Sequence, residues 1–142
     1  MAEAHATLGH ISLGVRSYDI SKEFYSRIFE PLGLKLVYDS EAKGPSNRRP
    51  RTLGYGPDED HEMINIFEYG DASCSPGKGT HIAFNAPTRP AVIDFHAAAL
   101  KAGGESNGEP GLRPHYGTNY FAAFIVCPDG WRLEAVCKAA EE

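Results

Sequence analysis

The chain of 142 residues is short of cysteine and has no excess of positive charge, and each shortage excludes something. Its three cysteines, Cys74, Cys127 and Cys137, form no C-x-x-C pair, so no thiolate metal site is legible in their spacing. Cys127 and Cys137 flank one predicted hairpin and could approach each other, yet reduced thiols are the expected state. Fourteen Lys and Arg against nineteen Asp and Glu leave a net charge of -5, which argues against a general nucleic-acid-binding role. The one basic cluster, Arg48, Arg49 and Arg51, lies beside Pro45 and Pro50 and reads as a solvated loop, with an anion site as the rival. The N-terminus has no basic segment followed by an apolar run, so no signal peptide is expected. No apolar run approaches the roughly 18 residues of a membrane span. A cytoplasmic protein without a membrane partner is the expectation.

Hydrophobic residues at 42% and charged residues at 23% suit a globular protein, and the length suits one domain over residues 1–142. Within it the chain repeats itself. Gly9-His10-Ile11-Ser12-Leu13-Gly14-Val15 alternates as a strand, and Thr80-His81-Ile82-Ala83-Phe84-Asn85-Ala86 does so again. After the first strand, Ser17 or Asp19 offers an N-cap to a helix carrying Ile20, Phe24, Tyr25, Ile28 and Phe29, which Pro31 and Gly33 stop. Strands are predicted over 34–38, 52–56 and 63–69, with a polar loop over 39–50 and a turn at Pro57-Asp58-Glu59-Asp60. Residues 70–79 form a linker. In the second half Thr88 caps a helix bearing Val92, Ile93, Phe95, Ala99 and Leu100, and Gly103-Gly104 ends it. A Gly/Pro-rich loop is expected as far as Tyr116, with little strand character over 105–108. Strands at 120–127 and 131–137 flank the turn Pro128-Asp129-Gly130. Module one spans about 8–70 and module two about 79–138.

Two histidines at equivalent strand mouths, His10 and His81, can converge on one site. Glu134 is the third candidate, a carboxylate between Leu133 and Ala135 in the last strand, where an unpaired charge is costly. Convergent nitrogen and oxygen donors on rigid strands suit a divalent metal. Glu134 lies six residues after Pro128 and Asn65 eight after Pro57, so Ile64-Asn65-Ile66 mirrors Leu133-Glu134-Ala135. Glu68 is an alternative carboxylate, but its odd spacing from Asn65 puts it on the opposite face unless a bulge intervenes.

These motifs, with Phe24-Tyr25, Leu32-Gly33-Leu34 and Tyr120-Phe121-Ala122-Ala123-Phe124, resemble the vicinal oxygen chelate superfamily of glyoxalase I, bleomycin-resistance proteins and extradiol dioxygenases. Leu112-Arg113-Pro114-His115-Tyr116 is similar to a segment of small glyoxalase-like proteins. The resemblance implies an α+β fold of tandem βαβββ modules forming an open, eight-stranded cup with flanking helices, and a homodimer is common. It places metal ligands on His10, Asn65, His81 and Glu134, with Asn65 standing where glyoxalase I has a glutamate. Two histidines and one carboxylate remain, a composition suited to Fe(II), with Ni, Mn or Zn as the other divalent ions.

A metal-dependent lyase or isomerase acting on a small substrate chelated through neighbouring oxygens is the function this implies. Its rivals are a binding protein that sequesters an aromatic or drug-like molecule, and an Fe(II) dioxygenase. Glu134 is the candidate catalytic carboxylate. His115 and Tyr116 are candidate acid/base or hydrogen-bonding groups at the rim, with loop packing as their alternative role. Arg113 is open to either an anionic substrate or a surface ion pair. Tyr55, Phe67, Tyr116, Tyr120, Phe124 and Trp131 supply aromatic surface for the cup. His5, His61 and His96 are expected at the surface or in packing.

Overall fold

A computed structural model describes residues 7–73 and 75–141, so His5 and Cys74 lie outside the described residues. Each half of the chain is one βαβββ module. Module one runs β1 (Ile11–Val15), α1 (Tyr18–Phe29), β2 (Lys35–Asp39), β3 (Thr52–Gly56) and β4 (Ile64–Glu68). Module two runs β5 (Ile82–Asn85), α2 (Arg89–Lys101), β6 (Glu105–Leu112), β7 (Phe121–Val126) and β8 (Arg132–Cys137). The eight strands divide into two four-stranded sheets of the same topology, β1-β4-β3-β2 and β5-β8-β7-β6. First and last strands of each module pair in parallel, Ser12 beside Asn65 and Ala83 beside Glu134. The connection between them is long enough to carry the helix and two strands that a parallel pair requires.

Both helices start where capping chemistry places them. Ser17 Oγ accepts from Ile20 N at 3.2 Å, and Thr88 Oγ1 accepts from Ala91 N at 3.1 Å. Pro31 does not stop α1 outright; a 3-10 turn over Glu30–Leu32 follows, and Gly33 then takes the left-handed conformation at φ 77°. The buried stripe of α1 is Tyr18, Ser21, Phe24, Tyr25, Ile28 and Phe29, which leaves Ile20 exposed, contrary to expectation. In α2 the stripe is Ala91, Val92, Phe95, His96 and Ala99, so Ile93 and Leu100 fall outside it and are exposed. His96, expected at the surface or in packing, is buried and bonds Ser106 Oγ at 2.8 Å.

The modules share one core. Phe29 of α1 meets Tyr55 of β3 and Phe84 of β5, each with ring centroids 5.2 Å apart. Tyr55 is therefore a core residue and not part of a ligand surface. Trp131 Nε1 donates to Gly14 O at 2.9 Å, and Arg16 N donates to Asp129 Oδ1 at 2.8 Å, tying β1 to the turn before β8. Burial pushes the Cys127 thiol above its ordinary value, and Cys127 and Cys137 are both free thiols.

β6 is the largest departure from the sequence reading. Eight residues, Glu105–Leu112, form a strand through Gly108, Pro110 and Gly111. It is an edge strand whose register shifts twice against β7, and an edge tolerates a proline that cannot donate.

Glu68 faces away from Asn65, as its spacing required, and anchors the start of α1. Arg51 donates to its two oxygens at 2.8 Å each, and Tyr18 N donates at 2.7 Å. The arginine of the basic cluster nearest the core is thus spent on a structural ion pair. These donors outweigh burial: Arg51 first, against desolvation, with the Tyr18 amide assisting, and they hold Glu68 below its ordinary 4.5. Asp39 is lowered too, because bonds from Lys22, Tyr18 and the Glu41 amide overcome the larger single effect of burial, which acts the other way. A carboxylate lowered on folding stabilises the native state above its unfolded pKa and loses that contribution as pH falls through the folded value. We expect Glu68→Gln to cost about 2 kcal/mol at pH 7, the range of hydrogen bonds to charged groups. Urea midpoints at pH 7 and pH 3 check this: the gap between wild type and variant should narrow at the lower pH.

Candidate metal centre on the outer sheet faces

Alternation sends every second side chain of each sheet away from the helices. In module two that outer face carries His81, Ala83 and Asn85 from β5 and its approach, Arg132, Glu134 and Val136 from β8, and Phe124 from β7. Glu134 is the most deeply placed of them, only 2% exposed. Two groups reach its carboxylate. His81 Nε2 lies 3.1 Å from Oε1, and Tyr120 Oη donates to Oε2 in a very short hydrogen bond. Among the described residues no Lys or Arg pairs with it. Burial, then donation to Glu134 and the charge of that carboxylate, push the Tyr120 phenol up to about 12, so it remains a donor at neutral pH.

Tyr120 was foreseen only as aromatic surface, although strand alternation already puts it on the face of Glu134. It also links the two rim residues to the carboxylate. Tyr116 packs on Tyr120 at 5.3 Å between centroids, and His115 on Tyr116 at 4.2 Å. Both His115 and Tyr116 are exposed and neither bonds Glu134 directly. Among the described residues Arg113 forms no ion pair: its guanidinium donates to Gly111 O and Glu109 O and lies over Phe124, which braces the irregular β6. Beside His81 opens a cleft of about 330 Å³ lined by Lys78, Asn107, Phe124 and Arg132 among others, at the small end of ligand-pocket sizes.

Module one presents a matching but weaker arrangement. His10 is exposed just ahead of β1, and Asn65 is half-buried on the outer face of β4. Asn65 Nδ2 donates to Glu62 Oε1, a carboxylate that strand counting did not single out because it belongs to the turn before β4. The structure brings His81 and Glu134 together, and His10 does not join them in a group of three. Among the described residues no three His, Cys, Asp or Glu side chains of one chain gather as a group able to hold an ion.

The chemistry of the donors fits a divalent cation. An imidazole nitrogen and a buried carboxylate sit side by side, and such nitrogen and oxygen atoms are donors that an ion of this kind takes.

Two duplicated βαβββ modules, with Glu134 on the last strand of one and Asn65 at the matching place in the other, define a paired-module scaffold. The chain belongs to the Glyoxalase/Bleomycin resistance protein/Dioxygenase superfamily, whose family model matches residues 7–135. Among solved structures it is similar to a glyoxalase/bleomycin resistance protein from Albidiferax ferrireducens T118, with 24% identity, 93% of this chain and 98% of that one covered, and a TM-score of 0.71. It is also similar to the fosfomycin resistance protein FosX from Listeria monocytogenes, at 18% identity, with 94% of each chain covered and a TM-score of 0.64. A glyoxalase I variant from Zea mays matches at 24% identity and a TM-score of 0.69, over 91% of this chain and 46% of that one. A search of curated proteins returns no significant match.

Tyr120→Phe removes the phenol donor from a buried carboxylate and should lower stability by about 1–3 kcal/mol at pH 7. A phenol raised on folding contributes below its ordinary value of 10 and loses the contribution as pH rises through about 12. Urea unfolding of the variant checks the first statement, and an unchanged midpoint would show that the bond carries no weight.

Proposed function

We propose that this chain is a metal-dependent enzyme of the glyoxalase type, a lyase or isomerase, whose centre is completed between two copies. The observation that carries the reading is the Glu134 carboxylate, buried beside His81 with no Lys or Arg paired to it among the described residues. His81 and Glu134 of one copy would hold the ion from one side, and His10 of the other copy from the opposite side. The ion supplies Lewis acidity, polarising a substrate bound through two neighbouring oxygens.

The residues of the chain do the rest. Glu134 would take a proton from a substrate carbon and return it, while Tyr120 restrains its second oxygen. Lys78 and Arg132 at the cleft beside His81 favour a small substrate bearing negative charge. His115 and Tyr116 act through Tyr120, by setting the position of its ring.

Assembly from two copies is supported by the finding that, among the described residues, no three His, Cys, Asp or Glu side chains of one chain gather as an ion-holding group. It is supported as well by Leu8, Met63 and Tyr69, large apolar side chains exposed on module one, the first two flanking His10 in the chain or its strand pairing.

Complementation tests the proposal. His10→Ala and Glu134→Gln are prepared separately, then mixed under conditions that exchange subunits, and Ni²⁺ uptake is measured. A shared site gives mixed dimers with one of two centres intact, so uptake returns on mixing. Uptake by each variant alone, or none after mixing that demonstrably exchanges subunits, contradicts the shared centre. Wild-type protein that takes up no Fe²⁺, Ni²⁺, Mn²⁺ or Zn²⁺ yet binds small aromatic molecules would favour a sequestration protein instead.

A further inference from the structure

Module one carries a carboxylate where its strand pattern has an amide. Glu62 lies in the turn before β4, yet its side chain does not point into solvent from that turn. It folds back across the outer face of β3 and lies on Gly54, which is the register partner of Asn65. A methyl group at Gly54 would overlap Oε1 and Cδ of Glu62, and one at Gly56 would overlap the His61 carbonyl. The Gly54-Tyr55-Gly56 sequence of β3 therefore clears a seat for residues 61 and 62. The carboxylate in that seat is bonded by Asn65 Nδ2, and among the described residues Glu62 forms no ion pair. Two independent features, a cleared strand and an aimed amide, place one anionic oxygen donor on the face that carries His10.

Such a placement costs energy without a counter-charge, since the carboxylate gives up part of its hydration for one neutral donor. It becomes favourable when a cation arrives. Asn65 itself is a poor ligand, because an amide oxygen is neutral, and its Nδ2 is already turned to Glu62. Its amide can orient a carboxylate in the manner of groups that position metal ligands from behind.

We propose that Glu62 is the module-one carboxylate ligand of the metal centre, seated by Gly54 and oriented by Asn65. This rests on the shared-centre reading above and adds to it a specific residue and a charge. The duplication is then less broken than the sequence suggests: both modules offer one histidine and one carboxylate, but module one delivers its carboxylate from a turn. Asn65 is a positioning residue.

Calorimetric titration with Ni²⁺ and the visible absorption of the Co²⁺-loaded protein test it, on wild type, Glu62→Gln, Gly54→Ala and Glu134→Gln, each checked for folding by urea midpoint. Glu62→Gln should weaken Ni²⁺ binding by at least about 10-fold and alter the Co²⁺ bands. Gly54→Ala should do the same, because it evicts the carboxylate while keeping it in the chain, and only a flexible side-chain end must move. Wild-type affinity and spectrum in both variants would overturn the proposal. If Glu134→Gln abolishes binding while Glu62→Gln leaves it unchanged, the metal-centre reading stands and this assignment falls. Absence of binding by the wild type overturns both.

Discussion

A carboxylate taken out of water in the last strand of module two is the constraint on which this site depends. Glu134 occupies a position that strand alternation turns away from the helices, and Ala83 and Phe124 flank it across the sheet. Burying that charge without a cation is unfavourable unless donors or a metal compensate. Its known partners, an imidazole nitrogen and a phenol held protonated, satisfy its oxygens in part and leave His81 oriented toward it. The proposed half-site would thus be preorganised for an ion by the fold itself.

The fold that carries it is a duplication fused through its helices. Phe29 bridges Tyr55 and Phe84, so the two sheets share one interior, and their outer faces are left to function. Each outer face holds a histidine at the mouth of its first strand, but the two are not equivalent. Module two buries its carboxylate in a strand, and module one holds one across a glycine seat. That inequality separates this chain from a symmetric four-ligand site.

Most of the architecture was legible in the sequence, because β1, β2, β3, β4, β5, β7 and β8 read as short apolar-rich runs between turn signals and both helices have side-chain caps. β6 was not, since Gly108, Pro110 and Gly111 read as loop, and only pairing with β7 at a sheet edge makes a strand of them. Single-helix periodicity also misjudged Ile20, Ile93 and Leu100, which lie outside the stripes that the tertiary packing selects. At the site, His81 and Glu134 came from counting along the repeat and do meet. Tyr120 could be placed on the face of Glu134 by alternation but not as its partner, since the contact spans a hairpin, and Glu62 comes from a turn whose path no periodicity describes.

The central claim is that His81 and Glu134 form one half of a divalent-metal centre whose other half belongs to a second copy. Anomalous diffraction from crystals grown with Ni²⁺, recorded on both sides of its absorption edge, tests it most directly. The account predicts a peak within about 2.2 Å of His81 Nε2 and a Glu134 oxygen, with His10 of a second copy completing the shell. A peak ligated by residues of one copy only, or no peak at His81 and Glu134, would contradict it.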